Sequence, residues 1–172
     1  DKRKYVSPAF DEEKGYLFWV RKHNVRMFQD IDFPPELSLV DIGRLAKLSK
    51  KVFRDTNLLA YRGNGGVKPM NIDQIAEVIE LKKRQAYNFL ARMQRIGMIK
   101  KIDVPTKVNG KQKKVPHYYL NPIYFCSSNR INLNLYLLFQ DQFDPLLPEW
   151  VKQKFAEGLE RMKEEKGDGK AS

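Results

Sequence analysis

The sequence predicts an α+β fold, and three observations indicate it. Hydrophobic residues make up 42% of the 172 residues, which is enough to form a buried core. Apolar residues recur at helical spacing in several segments. Elsewhere they alternate with polar residues as in strands, notably around Asn109-Gly110, a dipeptide typical of hairpin turns.

The N-terminal part is predicted to contain a flexible arm followed by a β-hairpin. Residues 1–14 are polar and charged, which favours an arm, and they lead into no apolar run of a secretory signal. Within residues 15–29, the segments 16–20 and 25–28 flank a Lys22-His23-Asn24 turn and are predicted to pair as strands.

Three helices are predicted in the middle of the chain. The first covers residues 36–52, after Pro34-Pro35, and its apolar stripe is Leu37, Val40, Leu45 and Leu48. Residues 58–61 then form a short strand or a helix remnant, ended by a glycine-rich loop at 63–66. Asn71 is a good N-cap for the second helix, whose buried stripe is Ile72, Ile75, Ala76 and Ile79. After a turn at Glu80-Leu81, the third helix covers residues 82–95 and ends at Gly97.

The C-terminal half is predicted to contain a hairpin and two helices. Residues 98–104 and 115–120 form the strands, joined by a long, mobile tip. The helices cover residues 133–143 and begin again near Pro148. The predicted organisation is an arm (1–14), a main domain (15–125), a helical extension (126–166) and a disordered tail (167–172).

The formal net charge is +11, and it is concentrated in one segment. Residues 82–114 contain eleven basic residues and one acid, Asp103. Residues 1–34 and 35–81 are each at +1, and residues 115–172 are at −1. A surface that only keeps a protein soluble mixes both signs. The segregation predicts a surface for a polyanion and disfavours adsorption to a membrane. In addition, no apolar run is long enough to span a membrane.

Helix, tight turn, helix, strand, loop and strand follow one another in the order of a winged helix-turn-helix. The segment 82–95 has one apolar side and an opposite side rich in cations and amides. Arginine recognises guanine, and asparagine or glutamine recognises adenine, in the major groove. The predicted DNA contacts are Lys82, Lys83, Arg84, Gln85, Tyr87, Asn88, Arg92 and Arg95. Base contacts are expected from Lys83, Arg84, Gln85 and Asn88, and phosphate contacts from Lys82, Arg92 and Arg95. The alternative is an ordinary solvated helix face.

The loop 107–114 contains four lysines and no acid. Lysines on a hairpin tip suit the minor groove or the DNA backbone, and the alternative is a solvated turn. The predicted contacts of this wing are Lys107, Asn109, Lys111, Gln112, Lys113 and Lys114.

The helix-turn-helix segment resembles MarR-type winged-helix regulators. The resemblance covers about thirty residues, in the runs Asn71-Ile72-Asp73-Gln74-Ile75-Ala76, Lys83-Arg84-Gln85-Ala86-Tyr87-Asn88-Phe89-Leu90 and Gly97-Met98-Ile99. The last run stands where the family has Gly-Leu-Ile at the entry to its wing. The flanks, with the N-terminal hairpin and Tyr119-Leu120-Asn121-Pro122, resemble plasmid and phage replication proteins of the RepL type. These resemblances imply a DNA-binding protein of a phage or plasmid.

No catalytic motif, metal site or cofactor site is predicted. His23 and His117 have no ligand partners at metal-binding spacing, and both are expected on a turn or strand surface. Cys126 follows an apolar run and is expected as a small buried residue.

The last helix has an apolar stripe at helical spacing, formed by Trp150, Val151, Phe155, Leu159 and Met162. The stripe either packs on its own domain or forms a homodimer interface, as terminal helices of winged-helix proteins often do.

The sequence therefore predicts a cytoplasmic protein that binds double-stranded DNA in transcription regulation or at a replication origin. The alternative is a winged helix that docks on replication or transcription proteins, since a fold alone does not fix function. RNA binding is disfavoured because the aromatic residues occupy predicted core positions.

Overall fold

The computed structural model describes residues 10–11, 15–16, 25–128 and 130–169. The described chain is a mixed α+β structure, as predicted. Its elements are β1 (Phe10–Asp11), β2 (Gly15–Tyr16), α1 (Leu39–Ser49), β3 (Val52–Phe53), β4 (Leu58–Gly63), β5 (Gly66–Pro69), α2 (Ile72–Ile79), α3 (Lys83–Ile96), β6 (Ile99–Val108), β7 (Lys111–Leu120), α4 (Leu133–Leu138), α5 (Gln140–Phe143) and α6 (Glu149–Asp168).

The main sheet is open and antiparallel, with the order β3-β4-β7-β6, and β5 pairs with β4. The β6–β7 ladder runs without a break from Ile99 opposite Leu120 to Val108 opposite Lys111. By contrast, β4 meets β7 only where Leu58 lies opposite Tyr119. The distal half of the β6–β7 hairpin therefore projects beyond the rest of the sheet.

The N-terminal prediction is corrected. Tyr16 pairs with Phe10, which belongs to the predicted arm. Residues 25–28 do not form a strand; instead, the backbone of Arg26 exchanges hydrogen bonds of 2.8 and 3.0 Å with Cys126. This partner lies a hundred residues along the chain, where a local pattern cannot reveal it. The rest of the predicted arm and hairpin lies outside the described residues, at 1–9, 12–14 and 17–24.

Helix α1 is shorter than the predicted 36–52. It begins after Ser38, whose hydroxyl accepts a hydrogen bond from the Asp41 N–H, while the Asp41 carboxylate accepts one from the Ser38 N–H. Leu45 and Leu48 are buried as predicted, but Val40 is exposed. The helical period places Asp41 in line with Leu45 and Leu48, so a carboxylate occupies the position expected for an apolar side chain.

Helices α2 and α3 follow the prediction closely. The Asn71 side chain accepts a hydrogen bond from the Gln74 N–H and so caps α2. Helix α3 ends at Gly97, whose φ of 86° is the left-handed conformation that favours glycine. The main core joins these helices to α1 and the sheet. Its fully enclosed members include Leu45, Leu59, Ile75, Ala86, Phe89, Leu90, Met93, Met98, Ile99 and Leu120.

The β6–β7 hairpin has no long tip. Both strands continue to a two-residue turn, Asn109-Gly110, with φ of 50° and 78°. Two consecutive positive values define the type I′ turn that this dipeptide favours. The predicted loop 104–115 is instead strand on either side of the turn. Its side chains are mostly exposed, so no apolar alternation marks it in the sequence.

The C-terminal helices form a second, smaller core. The predicted helix 133–143 is interrupted at Phe139, whose φ of −123° is not helical, and this separates α4 from α5. Buried Tyr136 stacks on Phe155 of α6 with 4.3 Å between ring centroids. The apolar stripe of α6 thus packs on its own chain through Phe155. Trp150 is exposed and does not belong to this second core. Helix α6 extends to Asp168, so the predicted tail begins as helix.

Candidate nucleic-acid interface

The basic segment 82–114 forms one helix and most of the hairpin that follows it. It contains α3, β6 and the first residues of β7. Helix α3 passes through Gly97 and Met98 directly into β6, and both elements contribute to the same core. The +10 charge of this segment is therefore placed on one helix and the hairpin that continues from it.

The two sides of α3 are divided as predicted. Ala86, Phe89, Leu90 and Met93 are buried in the main core. The exposed side chains on the helix and its N-cap include the predicted contacts Lys82, Lys83, Arg84, Gln85, Tyr87, Asn88 and Arg95. Helix α3 contains no acidic residue, so nothing on its own surface neutralises these cations.

Three of the exposed residues have side chains whose polar groups are free to bind a ligand. Within the described chain, the side chains of Arg84, Asn88 and Arg95 form no hydrogen bond and no ion pair. Lys83 contacts the carboxylate of Asp73 at 3.2 Å, but both groups are exposed and such a pair contributes little. The Gln85 side-chain oxygen accepts a hydrogen bond from the Lys82 N–H at the start of α3.

Arg92 has a different environment from the phosphate contact that the sequence predicts. Its two terminal nitrogens donate to both oxygens of Asp41, at 2.5 and 2.8 Å. Asp41 is only 2% exposed, whereas the Arg92 side chain is 38% exposed. The Arg92 hydrogen bonds, with those from Ser38, lower the pKa of the Asp41 carboxyl to about 2 despite its burial. This bidentate pair gives Arg92 a structural role, since it joins α3 to the first turn of α1.

The end of α3 is fixed by a second polar contact. Buried Asn121, just after β7, donates from its side-chain amide to the Gly97 carbonyl at 2.8 Å. Its side-chain oxygen accepts from the Ile123 N–H at 2.9 Å. The carbonyl at the helix terminus is thereby satisfied without solvent. Arg92 and Asn121 together hold the orientation of α3 relative to α1 and to the hairpin.

The lysines of the hairpin are strand residues, and the register divides them between its two faces. Lys107 lies opposite Gln112, and Lys114 opposite Pro105, on the face that also contains buried Tyr118. Lys111 and Lys113 lie on the opposite face. Asn109 lies in the turn, and its left-handed backbone conformation is the one that a type I′ turn requires.

One further cation belongs to this surface and was missed by the sequence prediction. Lys101 in β6 lies on the same face as Lys107, and its ammonium is 3.6 Å from the Asp103 carboxylate. The alternation of strand residues could have revealed it, had the strand been known to extend beyond residue 104.

Two of the other residues singled out in the sequence, Cys126 and His117, lie in the described part of the chain. Cys126 is buried, its thiol donates to the Ser128 carbonyl at 3.0 Å, and burial raises its pKa, so the predicted role as a small core residue is confirmed. His117 is half-buried in β7, and burial lowers its pKa. His23 lies outside the described residues.

Comparison with protein-family models, curated proteins and solved structures found no match for this chain. In the described part of the chain, no helix is both long and apolar enough to cross a membrane.

Proposed function

We propose that this chain is a winged helix-turn-helix protein that binds double-stranded DNA, with α3 in the major groove and the β6–β7 hairpin as its wing. The order α1, β4, α2, α3, β6, β7, with β7 between β4 and β6, is compatible with that fold. In this proposal β3, β5 and helices α4 to α6 are additions. The resemblance of residues 71–99 to MarR-type regulators falls on α2, α3 and the start of β6.

The observation that supports DNA binding best is the acid-free, exposed face of α3 beside a basic hairpin. Arg84 and Asn88 are exposed in the N-terminal half of the helix, from which base edges are usually read. Lys82 is exposed at the N-terminus of the helix and Arg95 near its C-terminus, where phosphates flank the groove. The hairpin lysines add contacts to the backbone or the minor groove.

The proposed role is recognition of a DNA site in transcription regulation or at a replication origin of a phage or plasmid. Both roles need only site recognition, so the same surface serves either. Recognition by a homodimer would require a two-fold repeated site. A protein docking on replication or transcription machinery could use the same cations against an acidic partner.

Selection of bound duplexes from a random pool tests this proposal. We expect a consensus sequence to be enriched, and a palindromic consensus would support a dimer. Affinity should fall with salt by about 0.9 log unit per log unit of salt for each phosphate contacted. Failure to enrich any sequence, together with a flat salt response, would remove the DNA proposal. Capture of an acidic protein that survives nuclease treatment would favour the docking alternative.

A further inference from the structure

A second basic surface lies at the edge of the sheet opposite β6, around β3, β4 and β5. Residues 50–68 contain five cations and one acid, Asp55. All five cations are exposed, and none forms an ion pair with a described carboxylate. They are Lys50, Lys51, Arg54, Arg62 and Lys68. We call this set the β4 basic surface.

The net charge of the surrounding sequence conceals this surface. Residues 35–81 have a charge of only +1, because five of their six acids lie outside residues 50–68. Asp41 is buried against Arg92, and Glu80 and Asp73 contact Lys47 and Lys83. Among the described residues, these acids do not pair with the cations of the β4 basic surface, and Asp55 is the one acid within residues 50–68.

The surface includes a shallow cleft of about 300 Å³ along the edge of β4. The last hydrogen bond between this edge and the β3 side joins the Ala60 N–H to the Lys51 carbonyl. Strand β4 continues to Gly63, and no described strand covers that edge beyond Ala60. Lys50, Lys51 and Arg62 line the cleft together with apolar side chains.

One of the apolar side chains that line the cleft is an exposed aromatic ring, that of Phe53. Phe53 is 38% exposed and lines the cleft beside the cations. The register places Phe53 on the same face of the sheet as Arg62, whereas Tyr61, opposite Lys68, lies on the other face. Contact with the backbone of a double helix needs cations only, because the faces of paired bases are covered by their stacked neighbours. Unpaired bases offer free faces, on which aromatic side chains stack while cations follow the phosphates. An exposed ring and cations in one cleft therefore match a single strand better than a duplex.

We propose that the β4 basic surface binds a single-stranded polynucleotide, with its phosphates on Lys50, Lys51 and Arg62 and an unpaired base stacked on Phe53. The site is separate from α3 and does not depend on the duplex proposal. Its chemistry suits DNA and RNA alike, since the argument uses base faces and phosphates and not the sugar.

Fluorescence anisotropy with labelled strands of about 16 nucleotides, oligo-dT and oligo-U, tests the proposal in the full chain. The triple variant K50A/K51A/R62A should weaken binding and reduce the salt slope by about two, since each phosphate contributes about 0.7 for single strands. Phe53→Ala should weaken binding at least about fivefold, whereas Phe53→Tyr keeps the ring and should bind as the parent does. The matched control is K154A/R161A/K163A, which removes two lysines and one arginine from exposed positions of α6.

The readout against duplex DNA separates this proposal from the first one. The variant R84A/N88A should lose sequence preference on duplexes and bind single strands as the parent does. Losses confined to duplexes in the K50A/K51A/R62A variant would overturn the proposal and assign these cations to a duplex. Equal losses in the α6 control, or no single-strand binding by the parent at low salt, would also overturn it. Tighter binding of oligo-dT or of oligo-U by the parent would support the proposal and identify the nucleic acid.

Discussion

Replacement of Arg92 by alanine separates its structural role from a role in DNA binding. The residue lies on α3 among the predicted phosphate contacts, yet its guanidinium holds both oxygens of buried Asp41. If the pair is structural, Arg92→Ala should lower the free energy of unfolding. If Arg92 is a phosphate contact, the same change should lower duplex affinity alone.

The pKa of Asp41 gives the expected size of the effect. It is lowered from 3.8 to about 2, with the Arg92 hydrogen bonds as the largest cause. At about 1.4 kcal/mol per pKa unit, the folded state is stabilised by about 2.5 kcal/mol when Asp41 is ionised. Ser38 provides part of this, and water screens the exposed side of the guanidinium. We therefore expect Arg92→Ala to cost about 2 kcal/mol, or about 4–8 °C in Tm.

Urea unfolding at several pH values measures this cost and its origin. Because the pKa of Asp41 is depressed in the folded state, the stabilisation is complete above about pH 5 and is lost as the pH falls toward 2. The difference between the parent chain and Arg92→Ala should therefore be largest near neutral pH and shrink in acid. A double-mutant cycle with Asp41→Ala should show coupling between the two residues.

Arg95→Ala is the matched control, since it removes the same charge from an exposed position one turn along α3. Its unfolding free energy should stay within about 0.5 kcal/mol of the parent's, while its duplex affinity falls. Suppose that Arg92→Ala behaves like this control, with reduced affinity and unchanged stability. The Asp41 pair would then not hold α3, and Arg92 would be a DNA contact.

Three other changes test the site and its support. Asn88→Ala should cost about 1–3 kcal/mol of discrimination at one base pair, measured by competition with singly substituted duplexes; uniform weakening would place Asn88 on the backbone. Lys114→Ala should weaken binding to all duplexes more than Lys113→Ala does. The two side chains lie on opposite faces of the hairpin, and only Lys114 shares the face of Tyr118, which belongs to the same core as α3; equal losses would contradict this assignment. Gly97→Ala should lower the unfolding free energy by at least about 1 kcal/mol, since φ is 86° and the new Cβ would lie 2.6 Å from the Gln142 side chain; an unchanged urea midpoint would refute the argument.

The part of the fold that the sequence predicts well is determined by local signals. Asn71 caps α2 and Gly97 ends α3, and each acts within one helical turn of its position. The burial of Ala86, Phe89 and Met93 follows from helical spacing alone. These signals locate α3, and hence the exposed face on which the proposed function depends.

The predictions that are wrong depend on partners far along the chain or on strands without a core. Arg26 pairs with Cys126, and no local pattern indicates such a contact. Asp41 occupies a buried helix position that is tolerable because Arg92, together with Ser38, satisfies its carboxylate. The distal β6–β7 hairpin covers no core, so its strands lack the alternation that would separate them from a loop.

The structure supports the two halves of the proposed interface unequally. Helix α3 is held by its core residues, by the Arg92–Asp41 pair and by the contact of Asn121 with Gly97. A helix fixed in this way loses little entropy when its side chains meet base edges, and this favours geometric discrimination. The distal hairpin is held only by its own ladder and turn. Its lysines can contact the phosphate backbone of many DNA sequences without fixing the position of the bases. We therefore expect specificity to reside in α3 and salt-dependent affinity in the hairpin.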